Sequence, residues 1–173
     1  MGVPTDTVYG VAADPFNREA VALLYKVKQR DTQMPIPVLG ADAGAFAGIA
    51  DLTGPGAAEA LSHWPGGLTV VVPKSVDAPP WIGDERGTVA IRVPDHPVAL
   101  ELLRSAGPLA VTSANRSGDA SARTADEARF ALGYGVAVYL EGDAHLGEAS
   151  TVVDLSGSEP VVLRQGPVRL DPK

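Results

Sequence analysis

Cysteine is absent from the 173 residues. No disulfide framework can hold the chain together, and no thiolate can bind a metal. Histidine is scarce as well: His63, His96 and His145 are the only three, and none stands at ligand spacing from another. No metal ligand is therefore assigned. Basic residues are outnumbered, 14 Lys+Arg against 21 Asp+Glu, for a formal net charge of -7. That balance argues against a broad basic face for nucleic acid or an anionic membrane, although it leaves room for a local cationic pocket. No apolar run is long enough to span a bilayer. Residues 1–15 lack the charged and apolar regions of a signal peptide, so a cytoplasmic protein without a membrane partner is expected. Neither a GxxxxGK[ST] loop nor a GxSxG elbow occurs, which removes the P-loop NTPase and serine-hydrolase readings.

What remains is an ordinary globular composition, 45% hydrophobic and 20% charged. The length suits one domain over residues 1–173. Apolar, β-branched runs predict strands at 68–72, 88–93, 109–112, 136–140, 151–155 and 161–164, with weaker ones at 3–11 and 36–39. Helices are expected between them. Asn17 caps one running to about Lys28, and Pro55 opens a second that ends near His63. A third covers 98–105 behind Asp95 and Pro97, with Gly107 past its end. Thr124 and Glu127 form a capping box for a fourth at 125–132. Strands at irregular intervals argue against strict strand-helix alternation. The expected fold class is α/β (α+β), a twisted mixed sheet with helices packed on it. Residue 3 already reads as strand, so an element expected ahead of it is missing from the pattern.

Several segments carry chemistry, each with a plain structural reading beside it. Residues 4–10, PTDTVYG, bring two hydroxyls and a phenol to a turn closed by Gly. Lys26, Lys28 and Arg30 stand at the end of the first helix. They complement its dipole, or they clamp phosphate as point charge and planar fork. Lys28 and Arg30 do not share a helical face, so one must leave the helix for the two to converge. In the 88–93 strand Thr88, Ala90 and Arg92 share one face while Val89, Ile91 and Val93 share the other. Residues 112–118, TSANRSG, are a plain turn or a nest of donors at a strand end. Ser150 to Asp154 and Arg164 lie on two further strands with polar ends. No acid–base pair of the usual kind stands out, which favours binding and orientation of an anionic ligand.

Taken in order, the segments PTDTVYG at 4–10, KQR at 28–30, WPGGLTVVVP at 64–73, TVAIRVPDHP at 88–97, TSANRSG at 112–118, STVVDL at 150–155 and LRQG at 163–166 resemble the threonylcarbamoyl-AMP synthase family, the YrdC/Sua5 domain. The resemblance implies a twisted sheet around a concave, cationic cavity, in the short single-domain form. It implies a nucleotidyltransferase that joins L-threonine, bicarbonate and ATP into threonylcarbamoyl-AMP and pyrophosphate. Mg2+ is expected alongside ATP, and tRNA or the proteins that carry out t6A transfer are the implied partners. Carried over by motif, Lys28, Arg30, Ser113 and Asn115 form the catalytic set. Lys28, Arg30, Thr88, Asn115, Ser121 and Arg164 contact ATP, and Thr7, Arg92, Ser113 and Ser150 hold threonine. Arg92 is expected to grip the carboxylate. The chain departs from the family pattern where Met34 replaces a basic residue, Leu39 a histidine, and Thr112 a proline, and where Gly147 to Thr151 reads GEAST. Other readings within the resemblance are a relative with another acceptor, an RNA binder and an inactive relative.

Overall fold

The computed structural model describes residues 1–170. Eight strands form one mixed sheet: β1 (Gly2–Val3), β2 (Gly10–Ala13), β3 (Val38–Leu39), β4 (Leu68–Pro73), β5 (Thr88–Arg92), β6 (Leu109–Ser113), β7 (Thr151–Asp154) and β8 (Val161–Arg164). Their order across the sheet is β1-β2-β6-β3-β5-β4-β7-β8. Only β3 with β5 and β4 with β7 run parallel; the other neighbours are antiparallel.

Four α-helices pack on the sheet: α1 (Arg18–Lys28), α2 (Ala57–Leu61), α3 (Pro97–Ala106) and α4 (Ala125–Leu132). Their ends follow the sequence. The Asn17 side chain accepts from the Glu19 and Ala20 amides, and the Thr124 hydroxyl accepts from the Glu127 amide. The Glu127 carboxylate reaches back to the Arg123 amide, one residue ahead of the cap. Pro97 opens α3, and Gly107 closes it at φ 82. Among the described residues no helix is long and apolar enough to cross a membrane.

Strand alternation divides the sheet into two uses. Leu68, Val70 and Val72 of β4, Val89 and Ile91 of β5 and Val153 of β7 enter one apolar core with Phe46 and Ile49. Thr69, Val71, Thr88, Ala90, Arg92 and Val152, the alternate residues of the same strands, line a cavity instead. One face therefore supplies hydrophobic stabilisation, and the other is left free to carry chemistry.

Two expected strands came out differently. Residues 136–140 form no strand: Tyr139 makes one isolated parallel bridge to Gly2. β1 is only two residues long and ends at Pro4, which has no N–H, so its edge offers almost no ladder. Residues 3–11 divide into β1 and β2. Between them the Thr5 hydroxyl donates to the Val8 carbonyl (2.7 Å) and accepts from the Thr7 amide (3.3 Å). Such side-chain bonds compete with the ladder and turn the chain.

Candidate anion-binding cavity

The cavity has a volume of about 560 Å3. Its floor is the alternate face of β4, β5 and β7, joined by Leu39 of β3 and by Val111 and Ser113 of β6. The 4–9 turn, the segment after α1 and the β8 arginine wall it. Eight of the ten expected site residues line it: Thr7, Arg30, Thr88, Arg92, Ser113, Ser121, Ser150 and Arg164. Lys28 and Asn115 stand behind the wall. Met34 and Leu39 line it as well.

Four arginines reach the cavity, and their partners differ. α1 ends when Gln29 takes a left-handed conformation at φ 52, which takes Arg30 out of the helix. Arg30 then donates to the carbonyls of Met34 (3.0 Å) and Pro35 (3.3 Å). Arg164 donates to the Ser150 carbonyl (3.0 Å) and hydroxyl (3.2 Å). Neither has a carboxylate partner among the described residues. Burial lowers the pKa of Arg164, and the Arg30 charge lowers it further, so the two guanidiniums sense each other. A pair of uncompensated cations in this relation is a place for a polyanion.

The other two are compensated. Arg92, 5% exposed, donates through Nη2 to Asp6 Oδ1, through Nη1 to the Thr7 hydroxyl (2.7 Å) and through Nε to the Gly66 carbonyl (2.8 Å). Three of its five N–H groups are so used, and two are left for a ligand. Arg86 bridges Asp84 (2.8 Å) and Asp154 (3.1 Å). Asp6, Asp84, Arg86 and Asp154 were not singled out as site residues from sequence. A GDERG turn (83–87) directly ahead of the Thr88, Ala90 and Arg92 face was the available signal for two of them.

Behind the wall, Lys28 is 1% exposed. Its ammonium donates to the carbonyls of Ser113 and Asn115, the latter at 2.6 Å. Burial first, and Arg30 second, pull its pKa down to about 8. The Asn115 amide donates to the carbonyls of Arg116 (2.9 Å) and Asp119 (2.8 Å). Both side chains thus fix the turn that presents Ser113 to the cavity. The Ser150 hydroxyl shares a hydrogen bond with the Thr69 hydroxyl (2.8 Å). Thr88 donates its hydroxyl (2.9 Å) and its amide (2.9 Å) to Asp84 Oδ1.

Among the described residues no histidine lines the cavity, and Asp84 is the carboxylate that does. Asp84 Oδ1 receives Thr88 and the Arg86 amide, and Oδ2 receives the Arg86 guanidinium. Among the described residues no group of three His, Asp or Glu is placed to hold a metal ion. The donor set does not fit a protein-held Mg2+. It does fit alignment of anions by fixed donors.

A sequence profile described as telomere recombination, that of the Sua5/YciO/YrdC domain, matches residues 1–166. The chain belongs to the Sua5/YciO/YrdC family. A Mycobacterium tuberculosis relative is 46% identical over 168 residues, covering 96% of this chain and 77% of its own. The Bacillus subtilis threonylcarbamoyl-AMP synthase is 39% identical over 173 residues, covering 96% of this chain and 49% of its own. The crystal structure of P. abyssi Sua5 complexed with L-threonine superposes with a TM-score of 0.88 at 36% identity, covering 95% of this chain and 49% of that one. This chain therefore spans about half the length of the Bacillus and P. abyssi family members. The fold is also that of E. coli YciO, at TM-score 0.85 and 24% identity.

Proposed function

We propose that this chain is an L-threonylcarbamoyladenylate synthase, a nucleotidyltransferase that makes threonylcarbamoyl-AMP and pyrophosphate from L-threonine, bicarbonate and ATP. The observation that carries this reading is the pair of uncompensated arginines, Arg30 and Arg164, in the same cavity as the hydroxyl-lined, carboxylate-compensated Arg92. That arrangement supports a polyphosphate and an amino acid side by side. The relatives named as threonylcarbamoyl-AMP synthases and the Sua5 threonine complex point the same way.

The chemistry needs alignment more than proton transfer. The threonine ammonium gives up one proton, the free amine takes up CO2, formed when bicarbonate gives up hydroxide, and a second proton leaves to solvent as the carbamate forms. A carbamate oxygen then attacks the α-phosphorus. The bond to the β-bridging oxygen breaks, and pyrophosphate leaves with that electron pair. Arg30 and Arg164 bear on the triphosphate and stabilise the charge that gathers on the leaving group. Arg92 offers its two remaining N–H groups to the threonine carboxylate, with the hydroxyls of Thr7, Ser113 and Ser150 nearby. Thr88 and Ser121 complete the nucleotide contacts. Lys28 and Asn115 act through the 113–115 turn, as positioning residues. Mg2+ would be brought by the triphosphate, since among the described residues no cavity carboxylate is free to hold it.

In this reading residues 1–173 act as one domain in the cytoplasm and feed t6A formation on tRNA. With a net charge of -7 the protein passes its product on rather than gripping tRNA broadly. A relative with another acceptor is the second reading, favoured by Leu39, which puts an apolar side chain on the cavity floor level with Arg92.

The test is pyrophosphate release from ATP and bicarbonate, with L-threonine, without it, and with L-serine. Threonine-dependent release is expected. ATP binding without threonine-dependent release would move the assignment to the second reading.

A further inference from the structure

Asp6, the buried carboxylate behind Arg92, touches neither substrate in the proposed reaction. It is 5% exposed, does not line the cavity, and receives on one oxygen both Arg92 Nη2 and the Asp95 amide, the latter at 3.1 Å. Its effect on the cavity is one of charge. Arg30 and Arg164 carry two unopposed positive charges, and without Asp6 the Arg92 guanidinium would be a third. Burial and the Arg164 charge both lower the Arg92 pKa, while Asp6 raises it. The carboxylate therefore sustains a guanidinium that its surroundings disfavour, and cancels its field at the same time.

A polyanion entering a cavity with three open guanidiniums has several ways to settle. Arg92 closes β5, four residues or ~13 Å along the strand from Thr88. Continuing the Val38–Ile91 register back along both chains brings Pro35, where Arg30 is anchored, towards Thr88. A triphosphate or its pyrophosphate product could thus seat on Arg30 or on Arg92, and the second seat would block the amino acid.

We infer that Asp6 is a specificity-determining residue: by neutralising Arg92 it keeps polyphosphate off the amino-acid end of the cavity. A monocarboxylate still binds there, because it takes two directional N–H bonds and threonine brings its own compensating charge. A pyrophosphate anion gains little from a neutral pair. The inference rests on the proposed assignment of Arg92 to threonine, and its test separates the two.

The experiment is calorimetric titration of inorganic pyrophosphate and of L-threonine into the wild-type protein, Asp6→Asn, and the double variant Asp6→Asn, Arg92→Gln. Asparagine keeps the shape and the Oδ1 acceptor while removing the charge. In the wild type, saturating pyrophosphate should leave threonine affinity within about twofold of its value without it. Asp6→Asn should bind pyrophosphate at least about tenfold tighter, and pyrophosphate should now compete with threonine. The second substitution should abolish that gain. Weaker threonine binding in Asp6→Asn with unchanged pyrophosphate affinity would overturn the inference and reduce Asp6 to a brace. Competition already present in the wild type would overturn it too, without need of any variant. Failure of the wild type to bind threonine would instead remove the synthase reading. The pyrophosphate arm, with its dependence on Arg92, would then still decide what Asp6 does.

Discussion

Replacing Lys28 with Met tests whether this lysine ties the 113–115 turn or touches phosphate. An ordinary lysine titrates at 10.5, and burial pulls Lys28 down to about 8. The unfolded chain therefore holds this proton more tightly than the folded one. Where the unfolded state binds more protons, stability rises with pH, and here the window runs from about 8 to 10.5. Integrated from pH 7 to pH 10, Lys28 alone contributes about 2–3 kcal/mol of rising stability. The amine keeps two N–H donors when neutral, enough for the Ser113 and Asn115 carbonyls. Lys28→Met leaves both carbonyls short of a donor, at ~1–3 kcal/mol each, and relieves roughly 3 kcal/mol of ammonium dehydration. The variant should be at most about 3 kcal/mol less stable at pH 7 and a further ~2–3 kcal/mol worse at pH 10. Urea unfolding of both proteins at the two pH values, followed by tryptophan fluorescence, reads the difference directly. Subtraction cancels the groups common to both, including Tyr9, whose phenol is pushed up to about 12. An equal gap at both pH values would mean a solvated ammonium, free to reach the cavity, and would refute the tether.

Arg30→Ala removes an uncompensated cation whose protein partners are two carbonyls. It should raise KM for ATP by about 10- to 100-fold while costing under ~1 kcal/mol of stability; steady-state kinetics beside a melting curve would check both. Thr151→Val keeps shape but strips a fully buried hydroxyl that donates to the Val168 carbonyl and accepts from the Gly166 and Val168 amides. A loss of about 2–4 kcal/mol is expected by denaturant unfolding. Gly166→Ala would set a Cβ 2.4 Å from the Ala149 carbonyl oxygen and 2.5 Å from the Thr151 nitrogen, both rigid backbone. The two segments must part, the Arg164 bonds to Ser150 should be lost, and KM for ATP should rise as Tm falls. Wild-type kinetics in that variant would mean Arg164 does not depend on its seat at Ser150.

The sheet was readable wherever β-branched residues ran long enough to bury a whole face. The stretches that became β4, β5, β6 and β7 are of that kind, whereas β8 was readable from its β-branched run although all four of its residues are exposed; alternation along β5 alone placed Arg92 opposite the core. The reading failed where backbone geometry overruled composition. Val136 to Leu140 has strand residues but faces a two-residue neighbour, and Thr5 and Thr7 spend their hydroxyls on a turn. In the cavity, hydroxyls and cations at element ends were visible because they recur at predictable places. Lys28 and Arg30 could converge on a ligand only if one left the helix; Gln29, in a left-handed conformation, takes Arg30 out of it, while Lys28 is spent on the Ser113 and Asn115 carbonyls. Nothing local to Gln29 announces that conformation, since Gly or Asn is the usual occupant.

The charge state of the cavity was the part no local pattern could disclose. Counting residues gives four arginines on its walls, a strongly attractive basin for any anion. Counting ion pairs gives something else. Asp6 meets Arg92 across 86 positions of sequence, and Asp154 meets Arg86 across 68. Only the folded sheet sets which carboxylate stands behind which guanidinium. Arg30 and Arg164 keep their full charge, Arg92 and Asp6 together make a neutral pair that still donates directional bonds, and Arg86 is outnumbered by its two aspartates. An evenly cationic cavity would hold nucleotide, product and amino acid in overlapping places. This distribution gives the polyanion one favoured seat and leaves the other to a ligand that is matched by shape and hydrogen bonding, which is what a reaction between two different anions requires.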